Sequence, residues 1–269
     1  MVTKVRAPGS SANLGPGFDV LGIALSRYVW VSDQPGGDAC GSSHIARIAY
    51  EQAGGSGDIW FGFELEPGRG LGFSAAARAA GAMMACIQSG MDATQAQQRS
   101  YQVVAELEGH GDNAAPAVFG GMHVIAGDCN HRINASFPGQ FLCWVPELVV
   151  PTDESRLQLP AMVSRPDAIY NLGRVGLLMS AVYERDLSLL RTATEDRLHQ
   201  PQRLDAMPEV KEAIDVALEA GAAAAWLSGS GPTVAIIVDD ESSEKVEAAL
   251  PPQGKVLALD VDTTGAVEF

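Results

Sequence analysis

Pro67-Gly68-Arg69-Gly70-Leu71-Gly72-Phe73-Ser74-Ala75-Ala76-Ala77 places three glycines between two segments of opposite periodicity. Upstream, Ile59, Phe61, Phe63 and Leu65 alternate with smaller or more polar neighbours, the period of a half-buried strand. Downstream, Ser74 to Ile87 is alanine-rich and reads as a buried helix. Glycines let the backbone turn sharply and let a ligand approach where a Cβ would stand. The helix start adds unpaired N–H groups and the positive end of a dipole, roughly half a charge, so the segment suits a phosphate. Ser74, on the first turn, can reach a metal ion carried on such a phosphate. The segment is not a Walker A loop, because no Gly-Lys-Ser/Thr follows the glycines. Nor is it a dinucleotide fingerprint, since Phe73 holds the last glycine position. Glycines alone favour a plain strand-to-helix turn over a phosphate site.

The periodicity outside this turn predicts mixed helices and strands. Val2–Arg6, Val20–Leu25, Tyr28–Ser32, Met122–Ala126 and Phe141–Val150 read as strands, with Pro8–Gly17 as a loop and Ala93–Leu107 as a helix. In the second half, Pro166–Tyr183, Leu187–Arg197 and Pro208–Ala220 have helical spacing, with Gly221 as a stop. Ala223–Leu227 and Thr233–Val238 read as strands across a Gly-Ser-Gly-Pro turn. A short helix at Ser243–Leu250 and a strand at Lys255–Val261 follow. The order lacks regular βαβ alternation, which favours α+β over a doubly wound sheet. The change of character near Phe141–Thr152 divides the chain into residues 1–147 and 148–269.

Composition narrows the chemistry. The 269 residues include 18 Lys+Arg against 33 Asp+Glu, a net charge of −15, which repels nucleic acid and anionic membranes. Any anion site must therefore be local. No apolar run approaches the roughly 18 residues of a membrane span, and the N-terminus lacks the apolar core of a secretion signal, so a cytoplasmic location is expected. Cys40, Cys86, Cys129 and Cys143 show no C-x-x-C spacing, the pattern of reduced thiols and not of a zinc site.

Four further segments carry a family resemblance. Pro8-Gly9-Ser10-Ser11-Ala12-Asn13-Leu14-Gly15-Pro16-Gly17-Phe18-Asp19-Val20-Leu21-Gly22 resembles the N-terminal motif of homoserine kinases. These belong to the superfamily of galactokinase, homoserine kinase, mevalonate kinase and phosphomevalonate kinase. The glycine loop is similar to that superfamily's second motif, and Trp226-Leu227-Ser228-Gly229-Ser230-Gly231-Pro232-Thr233 to its third. Glu106-Leu107-Glu108-Gly109-His110-Gly111-Asp112-Asn113-Ala114-Ala115-Pro116 and Asp196-Arg197-Leu198-His199-Gln200-Pro201-Gln202-Arg203 resemble segments typical of homoserine kinases. The matches fall in the family's order.

The resemblance implies a two-domain small-molecule kinase fold. An N-terminal ribosomal-protein-S5-like ATP-binding domain would precede a C-terminal ferredoxin-like α+β domain, with the active site between them. It implies transfer of the γ-phosphate of ATP to the side-chain hydroxyl of homoserine, a step of threonine biosynthesis. Pro67, Gly68, Arg69, Gly70, Leu71, Gly72, Ser74 and Ala75 would wrap the ATP phosphates. Ser74 and Glu108 would hold Mg2+, a hard cation that takes oxygen ligands, with Glu106 as the alternative carboxylate. Asn13, Asp19 and Asn113 would stand at the reacting centre, with Asn13, Asp19 and His110 at the amino-alcohol end of the substrate. Arg203 and Arg156 would hold its carboxylate through a planar fork. Without the resemblance each arginine reads as a surface residue, either glutamate as a solvated helix face, and His110 as a structural histidine. Family members are often dimers, which implies a homodimer.

Three departures from the family pattern stand out. Phe73 replaces the first of two serines, and its ring either crowds the phosphates or turns into the core. The stretch between Ser32 and Pro67, which normally helps to hold adenine, is short. Gln202 stands where an aromatic is commoner. A kinase for another small hydroxylated metabolite and a non-catalytic ligand-binding relative are the competing readings.

Overall fold

The computed structural model describes residues 2–135, 137–150, 152–157 and 159–269. The first half opens with β1 (Lys4–Ala12), β2 (Leu21–Ser32), β3 (Asp38–Ala39), α1 (Ile45–Gln52), β4 (Trp60–Phe63) and α2 (Phe73–Gln88). It continues with α3 (Ala93–Glu108), α4 (Ala114–Phe119), β5 (Met122–Ala126), β6 (Cys129–Ile133) and β7 (Gln140–Pro146). Next come α5 (Thr152–Leu157), α6 (Arg165–Glu184), α7 (Leu187–Ala193), α8 (Gln200–Asp205) and α9 (Pro208–Ala220). The chain ends with β8 (Ala224–Leu227), β9 (Val234–Val238), α10 (Ser243–Ala249), β10 (Gly254–Leu259) and β11 (Val267–Glu268).

The strands form two sheets. The first is built on the long β1–β2 pair, antiparallel from Lys4↔Ser32 to Ala12↔Gly22 with a register shift at Pro8/Gly9. That shift falls where proline has no N–H to give the ladder. β4 pairs the C-terminal half of β2 and β5 its N-terminal half, while β11 pairs β1. The second sheet has the order β10-β7-β9-β8 and is antiparallel throughout. Each sheet therefore takes one strand from across the 147/148 division: β7 sits in the second, β11 in the first.

Buried residues alternate between two cores along the second sheet. Ala224, Trp226, Ala235 and Ile237 face the main core beneath the first sheet. Ala225, Leu227, Val234, Ile236 and Val238 face α9 and α10, packing with Val210, Ala213, Ala217 and Val246. A strand buried on both faces reads as a continuous apolar run, which is how 234–238 reads. In the main core α2 lies sheathed on all sides, with Ala75, Ala76, Ala77, Ala79, Ala80, Ala82 and Ala85 buried. Small side chains permit close approach here. A Cβ on Gly81 would stand 2.1 Å from the Ala46 carbonyl oxygen of α1.

The sequence missed elements that short polar signals hide. The segment read as a loop from Pro8 pairs as strand as far as Ala12, because its serines and glycines hydrogen-bond β2. The two strands read across 20–32 are one. The helix read as far as Arg197 stops at Ala193. Beyond it, the Asp196 carboxylate accepts from the N–H groups of Leu198, His199 and Gln200 and so builds a turn. The short segment 33–66 folds into β3, α1 and β4.

Candidate functional site

The glycine turn is where three separate stretches of chain meet. Gly72 is left-handed at φ +68° and forms the N-cap of α2, and no side chain caps the helix. A Cβ there would lie 2.1 Å from Ser10 Oγ, so only glycine fits against β1. Ser10 Oγ in turn donates to Asn113 Oδ1 at 2.8 Å, and Ser10 N donates to the Leu71 carbonyl at 3.0 Å. Ser228, from the loop between β8 and β9, donates its hydroxyl to the Gly70 carbonyl at 2.6 Å and lies 2.9 Å from Ser11 Oγ. Thr233 N donates to the Arg69 carbonyl at 3.2 Å. The first, second and third motif segments are thus one hydrogen-bonded unit.

Beside this unit lies a cavity of about 340 Å³. Pro67, Gly68, Gly70, Gly72, Ser74, Ala75, Glu108, His110 and Asn113 line it, together with Gly229, Ser230 and the apolar Ile45, Phe73 and Val150. The uncapped first turn of α2 borders it. Leu71 is instead buried in the main core, and the Arg69 guanidinium turns away to the Pro146 and Leu148 carbonyls and to Glu66. Phe73 packs edge-on against Phe61 and Phe63, with ring centroids 5.8 and 5.9 Å away. Its ring is held by an aromatic cluster at the cavity wall, and Ile45 of the short 33–66 segment forms another part of that wall.

Two oxygen donors converge at the helix start. Ser74 Oγ donates to Glu108 Oε1 at 2.7 Å, and Arg78 forms an ion pair with the same carboxylate. Glu108 is the last residue of α3, whose C-cap is the left-handed Gly109. Glu106, two residues earlier, faces Gln52 instead, accepting from its amide at 3.0 Å. One hydroxyl and one carboxylate are too few to hold a cation alone. Among the described residues no group of three or more His, Cys, Asp or Glu gathers for one. The pair does fit Mg2+, which keeps waters and phosphate oxygens beside one or two protein ligands. Nearby, His110 Nδ1 lies 2.5 Å from the buried Asp112 carboxylate. That hydrogen bond raises the imidazole above its ordinary value against the opposing effect of burial.

A second cluster stands on the other side of Gly229. Asn13, Leu14 and Asp19 are all left-handed, at φ 71°, 47° and 59°. Such conformations are costly for residues with a side chain and collect at functional sites. Asn13 Oδ1 accepts from Asp19 N at 3.1 Å, and its Nδ2 donates to the Gly229 carbonyl at 2.9 Å. Arg203 Nη1 donates to that same carbonyl at 3.1 Å. Arg156, on α5, grips Asp19 with both Nη groups at 2.7 and 2.8 Å. The Phe18 ring lies beneath both guanidiniums, 5.4 Å from that of Arg156 and 5.3 Å from that of Arg203. Arg203 is 3% exposed. Burial, with the Arg156 charge beside it, pushes its guanidinium down to about 10, so it stays a cation at neutral pH. Its Nε is buried without a partner among the described residues.

Structural support for this second cluster comes from residues that local sequence signals leave without a role. Asn171 of α6 donates to the Pro16 carbonyl at 3.0 Å and to Asp196 Oδ1 at 2.6 Å. His199 stacks on Phe18 at 5.1 Å and reaches the Gly15 carbonyl. Phe18, Asp196 and His199 lie inside segments singled out in the sequence. Asn171 carries no local signal, because its partners are 155 and 25 residues away.

Known proteins resemble this chain over nearly its whole length. A family model described as GHMP kinases C terminal matches residues 178–255. A homoserine kinase of Desulfitobacterium hafniense is 36% identical over 98% of this chain and 99% of its own length. One from Thermus thermophilus is 38% identical over 96% of each. The crystal structure of homoserine kinase from Cytophaga hutchinsonii superposes with a TM-score of 0.84, covering 100% of this chain and 97% of that one, at 24% identity.

Proposed function

The chain belongs to the homoserine kinase family of the GHMP kinases, and on that premise we propose that it phosphorylates the side-chain hydroxyl of L-homoserine with ATP and Mg2+. The product would be O-phospho-L-homoserine, made in the cytoplasm for threonine biosynthesis. The observation that carries this reading is the Gly229 carbonyl. Gly229 lines the glycine-loop cavity while its carbonyl accepts hydrogen bonds from both Asn13 and Arg203, so the proposed phosphate cradle and amino-acid site adjoin at this residue. A homodimer is part of the proposal on family analogy.

The residues divide the labour of phosphoryl transfer, which is mostly positioning and charge neutralisation. The Gly68–Gly72 backbone and the first turn of α2 receive the triphosphate. Mg2+, when bound at Ser74 and Glu108, neutralises phosphate charge; Arg78 must then share or release Glu108. Asp19 takes the substrate ammonium, and Arg203 and Arg156 its carboxylate. Nε of Arg203, desolvated and unpartnered here, gains in that carboxylate the acceptor it lacks. Asp19 and Arg156 neutralise each other while the substrate is away. Their side chains are 32% and 43% exposed, so an incoming zwitterion can reach both partners of the ion pair. Asp19 is therefore assigned to binding, leaving the hydroxyl proton to phosphate or water. Asn13 and Asn113 orient the reacting groups.

The test is a coupled ADP-release assay with homoserine, threonine, serine and mevalonate, with and without Mg2+. Magnesium-dependent release with homoserine is expected. Release only with another alcohol makes the chain a related kinase, and no release with any makes it a non-catalytic binder.

A further inference from the structure

His199 is fully buried at the start of α8, and both of its ring nitrogens are engaged. Nε2 lies 2.8 Å from the Gly15 carbonyl oxygen, which only accepts, so Nε2 carries the proton. Nδ1 lies 3.1 Å from Arg203 Nη1, which only donates, so Nδ1 is bare. The neutral Nε2–H tautomer is thus dictated by its two neighbours. An imidazolium would set an N–H against the guanidinium N–H groups. The charged groups around the ring are Asp196 from its own turn, with Oδ2 3.6 Å from Nε2, Arg203 from α8 and Asp19 from the 13–19 loop. Burial keeps the imidazole below its ordinary value in spite of both carboxylates.

We propose that His199 is a positioning residue for the amino-acid substrate: it ties the Arg203 guanidinium to the strained 13–19 loop, so that cation and carboxylate keep one fixed separation. The inference rests on the reading of Arg203 and Asp19 as the two ends of the homoserine site. Accepting from Nη1, His199 and the Gly229 carbonyl together occupy one nitrogen of the fork. They leave free the Nε edge, which binds a carboxylate bidentately. Donating to Gly15, His199 braces the turn between the left-handed Leu14 and Asp19.

The two hydrogen bonds are separable by substitution. Asn presents an acceptor where Nδ1 stands and cannot reach Gly15. Gln presents a donor at the distance of Nε2 and leaves Arg203 without its acceptor. Homoserine and ATP KM values for the wild type, His199→Asn and His199→Gln, each checked for a cooperative melt, decide the matter. His199→Gln is expected to raise the homoserine KM about ten- to a hundredfold, the worth of one hydrogen bond to a charged group. The ATP KM should stay within about threefold. His199→Asn should stay at least about fivefold below His199→Gln in homoserine KM. Equal rises, or no rise, in folded variants overturn the proposal. A wild type without homoserine-dependent turnover overturns the functional reading instead. In that case, or if neither variant folds, the nitrogen NMR spectrum of His199 decides. It should show the Nε2–H tautomer from pH 6 to 8, and an imidazolium or an Nδ1–H signal refutes the assignment.

Discussion

Substituting Gly70 by alanine places a methyl group where the glycine turn meets the loop between β8 and β9. The new Cβ would stand 2.6 Å from the Ser228 carbonyl oxygen, 2.7 Å from that of Gly231 and 2.8 Å from the Gly231 carbonyl carbon. All three are backbone atoms, so no side chain can swing aside to relieve the overlap. The φ of +77° adds a left-handed penalty of roughly 1–2 kcal/mol. Relieving the overlap by backbone movement costs about 1–3 kcal/mol more, by analogy with overpacked cores. Gly90, at φ +81° with nothing within 4 Å of its Cβ, is an internal control that carries the conformational penalty alone. Urea unfolding of both variants, read at constant m, isolates the steric part. Gly70→Ala should cost about 2–5 kcal/mol and Gly90→Ala about 1–2 kcal/mol. The displaced loop should raise the ATP KM at least about tenfold in Gly70→Ala and leave it unmoved in Gly90→Ala. If Gly70→Ala costs no more than Gly90→Ala and keeps its ATP KM, the turn is not the close-packed phosphate cradle described above.

Three other outcomes follow from the site. Glu108→Gln should raise the Mg2+ concentration for half-maximal turnover at least about tenfold, whereas Glu106→Gln should leave it alone; a titration of rate against Mg2+ reads both. Asp19→Asn should raise the homoserine KM about ten- to a hundredfold; lost turnover at an unchanged homoserine affinity would argue for a chemical role instead of a binding one. The hydrogen bond to Asp112 raises His110, so its contribution to stability is complete below about pH 6.5 and is lost as pH rises through the higher folded value. Stability measured between pH 5 and 8 should therefore fall more steeply in the wild type than in His110→Asn.

The amino-acid sequence by itself determined the mixed architecture and the whereabouts of the chemistry. The extents of β5 and α9 were legible to the residue, because amphipathic spacing and a terminal glycine are local signals. The glycine turn with its small-residue helix announced a ligand site for the same reason, and the ordered motif segments indicated a kinase. Tertiary structure decided which side chains meet. Glu108 and Glu106 are indistinguishable as letters, and only the end of α3 at Gly109 brings the first to Ser74 and leaves the second on Gln52. Phe73 was ambiguous until Phe61 and Phe63 supplied its ring with neighbours. The brace formed by Asn171, Asp196 and His199 beneath the 13–19 loop joins residues more than 150 positions apart. Periodicity reports only on neighbours along the chain, and a hydrogen bond across that separation exists only once the two sheets have packed.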